Sequence, residues 1–389
     1  MKKYSILIVG IDCYSGHIRE FIVNLKKKNP LVDITLITSN FREEFKDDIS
    51  ECVENTVMVK RYQGGKKANY LAVIMNIFYL ILGFLKLYTN KHFDIVNIHF
   101  ARGQLRYVMP IIKRMTNNIV ISPWGSDVMR MEGKKRIREL SKIYSQARYI
   151  TVGCDSQIGK LIISKFKVNP KKMIKLGWGG EFFDYIEEHF NQVTTEAAKI
   201  RFGLDNRFVI TCGYNPAKEQ RHEEIIDSMY EIKDQLPPNL TLLFPFTYGS
   251  SAYSKQKKNT IIEKCKALGF DVVVVDEHLD MMDLLRLRMA TDVFVHVQTT
   301  DAGSRCVMEY VYCNKKIVHG SWNHYLYLEK YKPTCYFPVD KMENLGSVIV
   351  KACKAEVKDL PQEVKNHILE RGWGNRINRW NNFFESLVS

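Results

Sequence analysis

Short apolar, β-branched runs recur along the chain at residues 4–9, 33–38, 95–100, 119–122 and 149–152, and again at 208–211, 241–246, 271–275, 293–297 and 316–318. Longer stretches with apolar positions every three or four residues lie between them. The first pattern predicts buried strands and the second amphipathic helices, and their alternation predicts parallel sheets covered on both faces. Two such runs predict an α/β protein of two Rossmann-like domains. The polar stretch 187–205 separates them, giving a first domain at 1–190 and a second at 191–365. Residues 366–389, with Trp373 and Trp380, read as a helix that returns to the first domain. Ligands of open parallel sheets bind beyond the carboxyl ends of the strands, so the expected substrate site is a cleft where the two sheets face each other.

Residues 71–88, LAVIMNIFYLILGFLKLY, depart from the amphipathic pattern. They are apolar all round a helix apart from Asn76, Gly83 and Lys86, with Lys66 and Lys67 before them and Lys91 after. About 18 residues is the lower bound for a membrane span. Three readings stay open: a crossover helix buried in the core, a helix with one face on the sheet and the other in lipid, or a span.

Composition narrows the class. Of 389 residues 46% are hydrophobic and 26% charged, which supports full-sized cores and excludes disorder or a disulfide-stapled miniprotein. Nine cysteines include no C-x-x-C pair, so neither a zinc site nor a disulfide framework is expected and a reducing cytosol is. The N-terminal Met1-Lys-Lys-Tyr-Ser-Ile-Leu-Ile-Val-Gly10 reads as a first strand and not as a signal peptide. The net charge of +14 is unevenly spread. Residues 1–190 hold 31 basic and 18 acidic side chains, residues 191–389 hold 26 and 25, and the stretch 60–175 alone holds 23 and 5. A basic first domain beside an apolar segment predicts contact with an anionic membrane surface, governed by Lys66, Lys67 and the 134–138 cluster. No motif of a nucleic-acid-binding module accompanies the charge, so nucleic acid is not an expected partner.

The chemistry is carried by a few spacings. Asp301-Ala-Gly-Ser-Arg-Cys-Val-Met-Glu309 follows an apolar strand and precedes Asn314-Lys-Lys-Ile-Val318. A helix starting near Gly303 or Ser304 would aim free N–H groups at an anion, with Glu309 in its second turn. Phe208-Val-Ile-Thr-Cys-Gly213-Tyr-Asn-Pro-Ala-Lys218-Glu-Gln-Arg221-His222 runs from a strand through a turn into a helix, and supplies Lys218 and Arg221 where a leaving diphosphate needs cations. Gly10-Ile-Asp-Cys-Tyr-Ser-Gly16-His17 is a glycine-bearing loop after the first strand. His99 ends the strand Asp94-Ile-Val-Asn-Ile-His99, where a satisfied core histidine is the alternative to a functional one. Asp127 closes Pro123-Trp124-Gly125-Ser126-Asp127, where a helix N-cap is the alternative.

Together these segments resemble the retaining glycosyltransferases of the GT-B fold, in particular the family-four type, over nearly the whole chain. Asp301 and Glu309 stand where that family has two acids separated by seven residues, and Asn314-Lys-Lys-Ile-Val stands where it has Gly-Lys-Pro-Val-Val. Departures are Asp301 for Glu, Tyr214 for an Arg, and Trp124 for a His. The Asn/Gln-Arg-His form at 220–222 also resembles the transferases that add 4-acetamido-4,6-dideoxygalactose in enterobacterial common antigen. The resemblance implies a catalytic set of Asp301, His99 and Asp127. It implies a donor-binding set of Gly16, Gly213, Lys218, Arg221, Gly303, Ser304 and Glu309, and nucleobase contacts near residues 248–253 and 277–285. It further implies a nucleotide-sugar donor, and the lack of an Asp-x-Asp pair beside a strand suits such an enzyme, with no metal or other cofactor expected. The basic first domain and its apolar segment point to an acceptor carried by an anionic bilayer, a lipid-linked glycan at the cytoplasmic face, and richness in Lys, Asn and Ile points to bacterial surface polysaccharide synthesis. A sugar-nucleotide epimerase of the same fold and a non-catalytic partner of a transferase are the alternatives.

Overall fold

A computed structural model of the chain describes residues 1–11, 15–39, 45–62, 69–89, 92–247, 252–301 and 303–388. They form two compact units, Met1–Gly180 with Trp373–Ser389, and Glu181–Gly372.

The first unit is built on six parallel strands, β1 (Ser5–Gly10), β2 (Asp33–Thr38), β3 (Asn55–Met58), β4 (Ile95–His99), β5 (Ile119–Ser122) and β6 (Tyr149–Ile150), in the order β3-β2-β1-β4-β5-β6. The second has β7 (Phe208–Cys212), β8 (Leu240–Pro245), β9 (Asp271–Val275), β10 (Val293–His296), β11 (Lys316–Gly320) and β12 (Tyr336–Val339), in the order β12-β11-β10-β7-β8-β9, also parallel. Central strands are buried at nearly every position, as a sheet covered on both faces requires. In each sheet the winding direction reverses between the first and fourth strands. The crevices that bind ligands in such sheets therefore open beyond the carboxyl ends of β1 and β4 in one unit and of β7 and β10 in the other.

The ten expected strands are present. The two that the apolar runs did not announce, β3 and β12, lie at sheet edges. β3 buries one side chain of four and β12 carries Pro338, so neither produces a continuous apolar signal. The domain limits shift as well. Helix Glu181–His189 buries Phe182, Phe183 and Ile186 in the core of the second unit, which begins there and not at 191. Helix Gln362–Leu369 buries Val364 and Ile368 in the same core, so the chain returns to the first unit at Trp373 and not at 366. The returning helix, Trp373–Leu387, packs Trp373, Trp380 and Phe384 around Phe21, and the indoles donate to Glu20 Oε2 at 3.0 Å and Gly177 O at 2.8 Å.

The apolar segment forms helix Asn69–Tyr88, the crossover from β3 to β4. Leu80, Phe84 and Leu87 are buried with Ile37, Val57 and Val59 of the sheet. Leu71, Ile74, Phe78, Leu82 and Leu85 repeat every three or four residues along another flank and are 41–51% exposed. This overturns the fully buried reading: one flank is core and another is an exposed apolar stripe. By length and composition the helix is able to cross a membrane. Lys66, Lys67 and Lys91 lie outside the described residues.

Candidate active site

In the second unit, the turn after β7 and the loop after β10 meet at the reversal of winding. Gly213 follows β7 with φ +65, and a Cβ there would lie 2.7 Å from Gln220 Oε1. Glycine takes that backbone without the strain a side chain would bring, whereas the Cβ contact falls on the flexible end of Gln220 and adds less. Gln220 accepts from Tyr214 N at 3.3 Å and bonds the side chain of Gln298, while Thr299 N donates to Glu219 O at 3.0 Å. These bonds tie the two loops together. Lys218 projects from this turn, exposed, with no ion pair among the described residues. Arg221, the other expected cation, has φ +59 and is held by Glu224, its Nε donating to Oε2 at 2.9 Å.

The acid-bearing loop is more tightly organised. Ser304 caps helix Arg305–Tyr312, its Oγ accepting from Cys306 N at 3.2 Å, and Gly303 precedes it with φ +98. Tyr325 accepts from Ser304 N at 2.6 Å and donates to Asp301 Oδ2. Burial, with Asp301 adding to it, pushes the Tyr325 phenol well up, so it remains a donor. His296 Nε2 lies 3.1 Å from the same carboxylate oxygen, and Asn323 Oδ1 accepts from Asp301 N at 2.9 Å. His296 stacks on His319, rings 5.3 Å apart and 2° from parallel, and Tyr214 stacks on His296 with ring centres 5.8 Å apart. Burial pulls the His319 imidazole down to about 3, so it is neutral at ordinary pH.

Glu309, the second acid, lies in the same helix and is 8% exposed. Arg288 Nε and Nη2 both donate to Glu309 Oε2, at 3.0 and 2.8 Å. Oε1 carries no hydrogen bond among the described residues.

In the first unit, Gly16 sits buried in the first turn of helix Ser15–Lys28, beyond β1; residues 12–14 of the glycine loop lie outside the described residues. His99 ends β4 among Phe21, Trp124 and Trp178, and its Nδ1 accepts from Trp124 Nε1 at 3.4 Å. Burial draws its pKa to about 3, the state of a neutral core imidazole. Asp127 is 3% exposed, and its Oδ1 accepts from Trp124 N at 3.0 Å and Gly125 N at 2.9 Å. It therefore closes its own loop and does not cap the helix that follows, whose N-cap is Gly125. Burial, partly opposed by those N–H donors, raises its pKa to about 6. Half-buried Trp124 and Trp178, 5.8 Å apart, and His17, 5.2 Å from Trp124, surround this point with aromatic rings. Of the loop 248–253, expected to meet a nucleobase, residues 248–251 lie outside the described residues, and Tyr253 falls in helix Ala252–Ala267. Among the described residues no group of three His, Cys, Asp or Glu is arranged to hold a metal ion.

No protein-family model matches the sequence, and no curated protein does either. Solved structures do match over the whole length. A glycosyltransferase from Rickettsia africae superposes with a TM-score of 0.69 at 15% identity, covering 100% of both chains. The Anabaena protein HepE, solved with UDP and glucose, gives 0.65 at 12% identity, covering 99% of this chain and 100% of that one. The UDP-GlcNAc 2-epimerase of Methanocaldococcus jannaschii gives 0.59 at 12% identity, covering 98% and 99%. The chain has the GT-B fold.

Within this GT-B fold the expected site residues fall into two groups. Gly213, Lys218, Arg221, Asp301, Gly303, Ser304 and Glu309 come together at the strand ends of the second unit, and Gly16, His99 and Asp127 at those of the first. Sequence reading missed Arg288, His296, His319, Asn323 and Tyr325. A signal existed for the two histidines: β10 and β11 both end in an apolar run followed by His, and His296 pairs with His319 in register. Arg288 and Tyr325 are recognisable only through their contacts with Glu309 and Asp301.

Proposed function

We propose that this GT-B chain transfers a sugar from a nucleotide-diphosphate donor to a hydroxyl of a lipid-linked glycan at the cytoplasmic face of a bacterial membrane, with retention of configuration. The observation that carries the reading is the convergence, at the carboxyl ends of the central strands β7 and β10, of two acids separated by seven residues, a Ser-capped helix start and the exposed Lys218. In the reaction the bond from the sugar anomeric carbon to the diphosphate oxygen breaks. The acceptor oxygen bonds to that carbon from the same face, and the acceptor proton passes to the departing phosphate oxygen. Lys218 and the helix start offset the charge that develops on the diphosphate. Arg221 joins them by exchanging Glu224 for phosphate. Glu309 Oε1 accepts from the ribose hydroxyls, and Asp301, oriented by Tyr325, contacts the donor sugar. Trp124 and Trp178 offer ring faces to an acceptor sugar. The excess of 31 basic over 18 acidic residues in 1–190 and the exposed stripe of helix Asn69–Tyr88 support a membrane-borne acceptor.

The direct test is thermal stabilisation by a panel of UDP-, GDP- and dTDP-sugars, followed by transfer of labelled sugar to a bacterial lipid extract. One donor should raise the melting temperature, and label should enter the lipid fraction. No stabilisation by any donor defeats the reading. The His296, His319 and Asp301 cluster favours a second reading, epimerisation, since it places titratable groups beside the donor site. Conversion of the sugar nucleotide without any acceptor would select it.

A further inference from the structure

Helix Lys134–Gln146 begins with Lys134, Lys135 and Arg136, has no acidic residue in its first turn, and is preceded by Gly133, which has no side chain to cap it. The unsatisfied N–H groups of a helix start carry positive potential, so three cations there are repelled. The repulsion continues along one face, because Lys134, Arg138 and Lys142 recur at four-residue intervals. Against this face packs the short 3-10 turn Gly103–Tyr107, which contributes Arg106. Arg106, Lys134, Lys135, Arg138, Glu139 and Lys142 line an open concavity of about 420 Å³.

Glu139 is the anion among them, and it is already engaged in an ion pair with Arg106. The Cα of Gly103 comes close to that carboxylate: a Cβ there would stand 2.6 Å from Glu139 Oε2. Arg106 is further held over the Tyr107 ring, 4.4 Å from its centre. One wall of the concavity is thereby fixed. Lys134, Lys135, Arg138 and Lys142 have no ion pair among the described residues. On a merely solvated face long cationic side chains are expected to splay apart, whereas here five surround one hollow and one of them is pinned.

We propose that this concavity binds a diphosphate group, and that the diphosphate is the one carried by the lipid-linked acceptor. Four unpaired cations match the two to three charges of a diphosphate better than the single charge of an ordinary phospholipid. The turn that supplies Arg106 also packs against helix Asn69–Tyr88, whose exposed apolar stripe suits the lipid portion. The lipid source rests on the function proposed above; the anion site rests on the concavity alone.

The test compares the full chain with Lys134→Gln/Lys135→Gln/Arg138→Gln/Lys142→Gln and with a charge-matched control, Lys27→Gln/Lys28→Gln/Lys160→Gln/Lys171→Gln. Titration calorimetry with inorganic pyrophosphate should show affinity reduced about tenfold or more in the first variant and within about twofold of the parent in the control. The first variant should melt at or above the parent temperature, since like charges have been removed. Unchanged pyrophosphate affinity overturns the site. Flotation with phosphatidylcholine vesicles containing farnesyl diphosphate, against vesicles with charge-matched phosphatidylglycerol, should show a preference for the diphosphate vesicles that the first variant loses. Equal flotation with both overturns the lipid source. Donor-sugar stabilisation, read on the same proteins, should survive in the first variant; its absence from the parent counts against the donor reading and leaves the anion site untouched.

Discussion

Deleting the Glu309 carboxylate isolates the best-defined charge pair in the second unit. Both Arg288 donors converge on Oε2 at 3.0 and 2.8 Å, and the two side chains are 7% and 10% exposed. With charge centres about 4 Å apart and an effective dielectric of about 20, such charges attract by about 4 kcal/mol. Glu309→Ala removes the attraction and leaves the guanidinium buried with only the Tyr310 ring, 4.7 Å away, and a long contact to its hydroxyl. The expected loss is about 3–5 kcal/mol, a large part of a total stability of about 5–15 kcal/mol. Glu309→Gln keeps the shape and one acceptor oxygen and should lose about 1.5–3 kcal/mol. Arg288→Met combined with Glu309→Leu removes both charges and should return to within about 1 kcal/mol of the parent. Urea titration with amide exchange read over residues 281–312 measures this unit by itself. Glu309→Ala within about 0.5 kcal/mol of the parent would refute the reasoning, as would a double variant no more stable than Glu309→Ala. Loss of sugar transfer in Glu309→Ala alone is consequently no measure of ribose binding, and Glu309→Gln is the better catalytic probe.

Three further outcomes are expected. Burial holds His99, His222 and His319 at about 3, against about 6.5 in the unfolded chain. The unfolded chain alone binds those protons between the two values, so their contribution to stability is whole above about pH 6.5 and is lost as pH falls toward 3, by up to about 1.4 kcal/mol per pH unit for each. Melting curves from pH 7 to 5 should fall steeply, His319→Phe should flatten the slope, and an unaltered slope would contradict the assignment. Phe78→Asp/Leu82→Asp, on the exposed stripe, should leave stability within about 0.5 kcal/mol while reducing flotation with anionic vesicles, whereas buried Phe84→Ala should cost about 3–5 kcal/mol; retained flotation in the first variant argues against lipid contact. Tyr325→Phe removes the donor to Asp301 and the acceptor for Ser304 N, and should cost about 1–3 kcal/mol and slow transfer more than it weakens nucleotide binding. A change confined to nucleotide affinity would speak against Asp301 as the sugar contact.

What the sequence disclosed follows from which interactions are local. Doubly buried strands such as β4 and β5 announce themselves as unbroken apolar runs, whereas the half-covered edges β3 and β12 do not. Ser304 was legible as a helix start because a cap acts within three residues of chain. Arg288 was not, because its partner Glu309 lies on a different helix and only folding brings them together. Asp127 shows a subtler limit. Its position after Gly-Ser suits a cap, yet its carboxyl turns back to Trp124 and Gly125, and both arrangements use the same residue types. The apolar run at 71–88 was plain from the outset, but which flank met the sheet depended on Ile37, Val57 and Val59.

The return of the chain at Trp373 also sets the order in which this protein can be made. The sheet of the first unit has left the ribosome by Ile150, but the helix that covers Phe21 and its neighbours emerges only after the entire second unit. At about 5–20 residues per second, that interval is roughly 10–50 s. During it, the nascent first unit exposes an apolar surface that nothing yet synthesised will cover, while the second unit, continuous in sequence, is free to fold. A premature stop just before Trp373 should therefore yield a soundly folded second unit attached to an aggregation-prone first one.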